Sequence, residues 1–315
     1  MRGHAVGTQR VIDMIKTAFG PLGDLAHDPT VVEIMANPDG RVWIERLGTG
    51  MQASELILHA EERLAIVELV AGAIGLVCHA QSPRLSATIA QWGLRFQGFV
   101  PPATLAPCFT IRKPAIRVFT LDEYADEGIL TPTQVATLQH AVRAHINILI
   151  SGSTGSGKTT LLNAVLAEIA ELGERVVTIE DMPELQCAAP NHLALYVKED
   201  IATMQQLVKD TLRCRPDRII LGEVRGVEAV DLVDSWNTGH NGGLCTVHAN
   251  SCREALTRME TLIRRGNIPT EVARQLLGEA QPLLVSLVRT STGRSVQEMV
   301  RVVGTHGGEY RYGDA

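Results

Sequence analysis

The sequence predicts an α/β protein in which a domain with a largely parallel sheet follows a smaller α+β domain. Two observations support the larger domain: apolar strand-like runs alternate with helix-like segments beyond residue 133, and a glycine-rich loop joins the first of these strands to the next helix. Strands that alternate with helices form parallel sheets covered on both faces. A third observation separates the two domains, because the first third of the chain has short elements and no such loop.

The composition is that of a globular protein with no overall basic character. The chain has 315 residues, 45% of them hydrophobic, a net charge of −6 and six cysteines without a C-x-x-C pair. We therefore expect neither a disulfide framework nor a zinc ribbon. The start lacks the apolar core of a signal peptide, and the apolar stretch 64–80 is too short to span a bilayer. These features predict a cytoplasmic protein whose membrane contact is peripheral.

The first domain is predicted to cover residues 1–118. The run VVEIMANPDGRVWIER indicates a hairpin, because two apolar runs flank the turn residues NPDG. Apolar positions at helical spacing occur in residues 54–78, which we interpret as a core helix rather than a membrane-binding surface. The run LRFQGFVPPATLAPCFTIRK indicates two short strands separated by a proline pair.

A linker is predicted over residues 119–133, where glycine and proline interrupt a polar stretch, and it is a candidate hinge. The second domain then covers residues 134–315. Its predicted elements are a strand at 146–151, a helix at 158–171, a strand at 175–180, a helix at 203–213, strands at 218–222 and 243–248, and a helix at 252–265.

The glycine-rich loop GSTGSGKTT fits the pattern G-x-x-x-x-G-K-[ST]. Glycines let backbone N–H groups surround an anion, and the helix that follows directs its positive end at the phosphates. Lys158 is expected to reach the β- and γ-phosphates, and the Thr159 hydroxyl to bind Mg²⁺. The loop therefore predicts binding of a nucleoside triphosphate by Gly152, Ser153, Thr154, Gly155, Ser156, Gly157, Lys158, Thr159 and Thr160.

Two acidic segments follow predicted strands. In VVTIEDMPEL, Glu180 and Asp181 end a strand, where acidic groups hold Mg²⁺ or orient water, or else form an ordinary solvated turn. In RPDRIILGEVRG, Glu223 follows an apolar strand, where a carboxylate can accept a proton from the attacking water. The alternative for Glu223 is a surface ion pair.

The segment TGHNGGLCTVHANS carries His240 and His248. Their spacing from nearby cysteines does not suit zinc. A neutral His248 at a strand end, in contact with the γ-phosphate or Glu223, is the preferred interpretation, and a buried structural histidine is the alternative. Phosphoryl-transfer enzymes also use arginines, for which the candidates are Arg95, Arg112, Arg213, Arg215, Arg218 and Arg225.

These four segments, in this order, resemble the type II and type IV secretion ATPases, where they are the Walker A, Asp, Walker B and His boxes. The upstream runs VVEIMANPDGRVWIE, LRFQGFVPP and FTIRKPA resemble that family's N-terminal domain. The segment DSWNTGHNGGLCTVHANS resembles the corresponding segment in the conjugative type IV secretion branch of this family. Type II secretion and pilus-extension ATPases usually carry a tetracysteine module that this chain lacks, and pilus-retraction ATPases typically read GEMRD where it has GEVRG.

The resemblance implies a RecA-like ATPase domain, homo-hexameric rings, and ATP with Mg²⁺ bound between the two domains. On this analogy Glu223 is the leading catalytic carboxylate, Glu180 supports it, and His248 senses the γ-phosphate. Arg95 and Arg112 would approach the phosphates from the N-terminal domain. One of Arg213, Arg215 and Arg218 would face a neighbouring subunit. Gly222 stands where many phosphate-loop enzymes place an aspartate for Mg²⁺, so Thr159 is the one metal ligand predicted.

The implied function is an ATP-hydrolysing motor of a conjugative type IV secretion system. It would power pilus assembly or substrate transfer from the cytoplasmic side, together with other components of an inner-membrane complex. A type IV pilus or type II secretion motor is the alternative within the family. A nucleic-acid translocase is disfavoured by the 4% aromatic content and the acidic balance, so direct nucleic-acid binding is not expected. A non-catalytic nucleotide-gated scaffold is disfavoured by the intact loop and Glu223.

Overall fold

The computed structural model describes residues 17, 19–46, 49–89, 93–113, 118–198, 201–290 and 293–313. The chain divides into two compact units, residues 1–116 and residues 117–315. Each unit has its own apolar core, as expected for two domains.

The described residues of the first unit form one antiparallel sheet together with helices. Its elements are α1 (Pro21–His27), β1 (Val31–Ala36), β2 (Arg41–Arg46), β3 (Gly50–Ile57), α2 (Ala60–Ala73), β4 (Arg84–Ile89), β5 (Leu94–Phe99) and β6 (Cys108–Arg112). The strand order is β3-β2-β1-β6-β5-β4. The predicted hairpin is β1–β2, and the strands on either side of the proline pair are β5 and β6. Both predictions are confirmed.

Helix α2 is the predicted core helix, although it is shorter than the helix-like stretch in the sequence. Residues up to Ile57 belong to β3 instead. Ile66, Val67 and Val70 are almost fully buried, and Val67 lies close to Gly98 of the sheet. The apolar side of α2 therefore packs on the sheet of its own unit. In the part of the chain that the structure describes, no helix is long and apolar enough to cross a membrane.

The second unit is built from alternating strands and helices. Its elements are α3 (Leu121–Asp126), α4 (Pro132–Arg143), β7 (Ile148–Gly152), α5 (Lys158–Ala170), β8 (Arg175–Glu180), β9 (Asn191–Tyr196), α6 (Met204–Thr211), β10 (Arg218–Leu221), α7 (Glu228–Asn237), β11 (Leu244–Val247), α8 (Cys252–Arg264), α9 (Thr270–Ala280), β12 (Leu283–Thr290), β13 (Gly293–His306) and β14 (Glu309–Gly313).

The sheet of this unit is largely parallel, as predicted. Its order is β14-β13-β12-β7-β11-β10-β8-β9, with parallel pairing from β12 to β9 and antiparallel pairing of β12–β13 and β13–β14. Side chains alternate between two cores: Ile148 and Ile150 belong to one and Leu149 to the other. Helices therefore cover both faces of the parallel strands, which explains their nearly continuous apolar sequences.

The prediction that residues 119–133 form a linker without regular structure is wrong. Residues Leu121–Asp126 form α3, α4 begins at Pro132, and both helices belong to the second unit. Leu121, Tyr124 and Leu130 are buried in that unit's core. The segment therefore belongs to the second unit, and glycine and proline here mark the ends of helices.

Candidate functional site

The predicted functional residues of the second unit meet at one edge of the parallel sheet. The loop follows β7, Glu180 ends β8, Glu223 lies two residues beyond β10, and His248 follows β11. Carboxyl ends of parallel strands share one edge, where open α/β sheets bind ligands. Because β11 lies between β7 and β10, His248 lies between the loop and Glu223.

The glycines of the loop occupy positions that other residues cannot take without strain or collision. A Cβ added at Gly152 would lie 2.4 Å from Ser156 Oγ and 2.5 Å from the Leu287 carbonyl oxygen. Gly155 has φ of 74° and Gly157 has φ of 98°, both in the left-handed region that glycine favours. Gly157 is also the N-cap of α5, so the loop delivers the chain directly into the helix.

Lys158 is the first residue of α5, and only 7% of it is exposed. Its Nζ donates hydrogen bonds to the carbonyl oxygens of Gly152 (2.9 Å) and Ser153 (3.0 Å). The same ammonium lies 3.2 Å from His248 Nδ1. Lys158 therefore links the loop to His248 at the end of β11 through hydrogen bonds.

His248 connects Lys158 to Glu223. An ammonium only donates, so Nδ1 of His248 accepts from Lys158, and Nε2 carries the proton toward Glu223 Oε1 at 2.9 Å. Burial lowers the pKa of His248; Glu223 opposes this shift, while Lys158 and Arg225 add to it. The neutral imidazole expected from the sequence therefore suits its neighbours, and the predicted contact with Glu223 is present.

Arg225 holds the other oxygen of Glu223. Its Nη2 lies 2.6 Å from Glu223 Oε2, and its Nη1 lies 2.5 Å from Asp181 Oδ2. The carboxylate of Glu223 thus has an ion pair with Arg225 on one oxygen and a hydrogen bond from neutral His248 on the other. The ion pair is the alternative that the sequence left open. The ion pair with Arg225 is compatible with a catalytic role for Glu223, because the other carboxylate oxygen is connected through His248 to Lys158 of the phosphate loop.

Glu180 has a structural task at the end of β8. Only 4% of it is exposed, and its Oε2 accepts hydrogen bonds from the backbone N–H groups of Glu184 (2.8 Å) and Leu185 (2.9 Å). A carboxylate that accepts two backbone donors fixes the turn after the strand. Glu180 itself is therefore buried, although the residues of the turn after it are partly exposed. A supporting catalytic role for Glu180 stays a prediction.

The candidate arginines fall into different environments. In the first unit, Arg95 and Arg112 are directly paired across β5 and β6. In the second unit, Arg218 is buried and donates to Glu174, which excludes it as a residue facing a neighbouring subunit. Arg213 and Arg215 are exposed. The nucleotide contacts expected of Arg95 and Arg112 stay a prediction.

The donor set of the loop fits a triphosphate and its magnesium ion. Besides the glycines and Lys158, the Ser156 hydroxyl is buried and has no hydrogen-bond partner among the described atoms. Thr159 is the second residue of α5, where its hydroxyl would bind Mg²⁺ as predicted. An aspartate in place of Gly222 would crowd Glu180, since an added Cβ would lie 3.2 Å from the Glu180 Cβ. The described residues hold no cluster of three His, Cys, Asp or Glu side chains suited to a metal.

Two features of the site were not predicted from the sequence. Thr246 in β11 donates to the Gly222 carbonyl oxygen at 2.7 Å, which fixes the backbone next to Glu223. Arg289 and Arg294 lie beside the phosphate loop on the hairpin of β12 and β13. Their local sequence, RTSTGRS, belongs to none of the motifs, and only the pairing of β12 with β7 brings it to the loop.

Comparisons with known proteins agree with this architecture. A family model described as "Type II/IV secretion system protein" matches residues 80–307. The conjugal transfer protein TrbB of Rhizobium radiobacter is 42% identical over 286 residues, which cover 90% of this chain and 87% of the relative. The type IV secretion system protein VirB11 of Bartonella quintana is 30% identical over 321 residues, covering 89% of each chain.

A solved structure leads to the same family. The crystal structure of the VirB11 ATPase from the Brucella suis type IV secretion system, in complex with sulphate, has a TM-score of 0.51 and 29% identity. The alignment covers 93% of this chain and 96% of that one. The resemblance inferred from the four motifs, and the fold class, are confirmed.

Proposed function

The chain belongs to the type II/IV secretion system protein family, and we propose that it is the ATP-hydrolysing motor of a conjugative type IV secretion system. Conjugal transfer proteins and VirB11 ATPases align with it over most of its length, which supports this member of the family over a pilus or type II secretion motor. The proposed role is to power pilus assembly or substrate transfer from the cytoplasmic side.

One observation supports hydrolysis above simple nucleotide binding: the phosphate loop is joined to a carboxylate through one histidine. Lys158, His248 and Glu223 are connected by contacts of 3.2 Å and 2.9 Å. Lys158 is the residue that such loops use for the β- and γ-phosphates. This connection supports Glu223 as the proposed base for the attacking water.

In this mechanism the loop N–H groups and Lys158 bind the phosphates, and Glu223 accepts a proton from the water that attacks the γ-phosphorus. Thr159 would help to hold Mg²⁺, which would supply positive charge against the negative charge that develops on the phosphates. His248 contacts both Oε1 of Glu223 and Nζ of Lys158. A movement of Lys158 that follows a change in the bound phosphates would therefore be passed through His248 to the carboxylate of Glu223. Arg225 sets the orientation of the second carboxylate oxygen.

The remaining expectations from the family resemblance belong to the same proposal. We propose a homo-hexamer that works with other components of an inner-membrane secretion complex and associates peripherally with the membrane. Arg95 and Arg112 are proposed nucleotide contacts. Direct nucleic-acid binding is not part of the proposal.

The test is steady-state ATP hydrolysis by the full chain and its Glu223→Gln variant. Loss of a general base should lower kcat by at least about 100-fold while ATP and ADP still bind. Glu279→Gln, which changes an exposed carboxylate on α9, is the matched control and should hydrolyse at the wild-type rate. Equal rates for wild type and Glu223→Gln would remove Glu223 as the base. Binding without turnover by wild type would favour the nucleotide-gated scaffold.

A further inference from the structure

The hairpin of β12 and β13 brings two arginines to the phosphate loop from the side opposite His248. β12 pairs with β7 in parallel, with Leu287 opposite Gly152, so its last residues run beside the loop. Arg289 near the end of β12 is directly paired with Arg294 near the start of β13. β11, which carries His248, lies on the other side of β7.

Both arginine side chains lie over glycines of the loop. A Cβ added at Gly157 would lie 3.1 Å from Cδ and 3.4 Å from Nε of Arg294. A Cβ added at Gly155 would lie 3.8 Å from Nη1 of Arg289. The absence of a side chain at Gly157 therefore leaves room for Arg294, while Arg289 lies at van der Waals distance from Gly155.

The electrostatics of this position call for an anion. Gly157 is the N-cap of α5, and a cation near the positive end of a helix is disfavoured unless a negative group is also present. Among the residues that the structure describes, no carboxylate forms an ion pair with Arg294. Arg289 and Arg294 are both exposed, so a ligand from solvent can reach them. Together with Lys158 they place three cationic side chains around one loop.

We propose that Arg294, assisted by Arg289, is a phosphate-binding residue of the nucleotide site, supplied by the same chain's C-terminal hairpin. This inference rests on the proposed function, because it takes the loop to bind ATP and ADP. Backbone N–H groups of such loops hold the α- and β-phosphates, and Arg294 lies beside them rather than beside Glu223. The two arginines are therefore expected to contribute to the affinity for ADP as well as for ATP.

The test measures dissociation constants of ADP and of adenosine for wild type, Arg294→Gln, Arg294→Lys and Arg289→Gln in the full chain. A hydrogen bond to a charged group contributes about 1.5–3 kcal/mol, so Arg294→Gln should weaken ADP binding by roughly 10- to 100-fold. Arg294→Lys should keep part of the affinity, because the charge remains. Adenosine, which has no phosphate, should bind wild type and variants alike.

Two controls separate the possible failures. Arg311→Gln changes an exposed arginine on β14 and should leave ADP affinity unchanged. Lys158→Ala tests the loop itself: undiminished ADP binding by this variant would refute the proposed nucleotide site. If Lys158→Ala loses binding while Arg294→Gln stays within about twofold of wild type, the inference fails and the proposed function stands. Equal weakening of adenosine and ADP would also overturn the inference, since a packing defect would then explain the change.

Discussion

At the scale of single residues, His248 lies between a cation and an anion. Lys158 donates to one ring nitrogen, and the other nitrogen faces Glu223. Burial is the largest cause of its lowered pKa, and the neighbouring cations add to that cause. The imidazole therefore stays neutral under conditions in which an exposed histidine begins to take up a proton.

We expect NMR titration of the folded chain to give His248 a pKa below its ordinary value of 6.5. Glu223→Gln should lower that pKa further, because the carboxylate favours the imidazolium. Lys158→Met should raise it, because a neighbouring cation is removed. His192, whose pKa is lowered by burial, is the internal control and should not respond to either change. A rise in the pKa of His248 in Glu223→Gln would contradict the expected effect of the Glu223 carboxylate on this pKa.

The same shift has a consequence for stability. With the folded pKa below the unfolded value of 6.5, the unfolded chain binds the proton more readily. The contribution of His248 to the free energy of unfolding is therefore fully present above 6.5 and is lost as the pH falls below it. Lowering the pH should therefore weaken the connection that runs from Lys158 of the loop through His248 to Glu223.

At the scale of elements, the turn after β8 depends on one buried carboxylate. Glu180→Ala would leave the N–H groups of Glu184 and Leu185 without this acceptor, at a cost of about 1–3 kcal/mol each if they stay buried. Glu180→Gln keeps a carbonyl oxygen and should keep more of the stability. Thermal unfolding of both variants measures this difference.

Hydrolysis by the same two variants distinguishes a structural role from a catalytic one. If Glu180 only fixes the turn, Glu180→Gln should hydrolyse ATP at nearly the wild-type rate while Glu180→Ala is slower. If its charge is needed in the reaction, Glu180→Gln should lose activity although it remains folded. Equal stability of all three proteins would refute the turn-fixing role.

The strands and helices around the motifs were predictable, and the segment 119–133 shows why one prediction failed. Glycine and proline there were taken as linker signals. Thr120 with Glu123 and Thr131 with Gln134 instead form capping boxes, and Pro132 lies in the first turn of α4. These are helix-start signals that were present in the sequence. The C-terminal strands β12–β14 carry no comparable motif, and their arginines could not be assigned to the loop.

At the scale of the whole molecule, the order of strands creates the site. Local sequence shows that β7, β10 and β11 are strands, and the motifs suggest a phosphate loop, a carboxylate and a histidine. Only the placement of β11 between β7 and β10 puts His248 between Lys158 and Glu223. The placement of β12 on the other side of β7 brings in Arg289 and Arg294. Such long-range pairing is set by the packing of the complete sheet, which local patterns do not encode.

The separate cores predict that the second unit folds without the first. A fragment of residues 117–315 contains both core clusters of that unit, the whole parallel sheet and the entire phosphate loop. It should unfold cooperatively, and ADP should stabilise it by about 2.7 kcal/mol at an ADP concentration 100 times the dissociation constant.

The ADP affinities of the full chain and the fragment test the proposed role of Arg95 and Arg112. If these two arginines bind phosphate, the full chain should bind ADP more tightly than the fragment does. The double variant Arg95→Gln with Arg112→Gln should then reduce the affinity of the full chain to that of the fragment. Equal ADP affinity of the full chain and the fragment would instead assign all of the binding to the second unit.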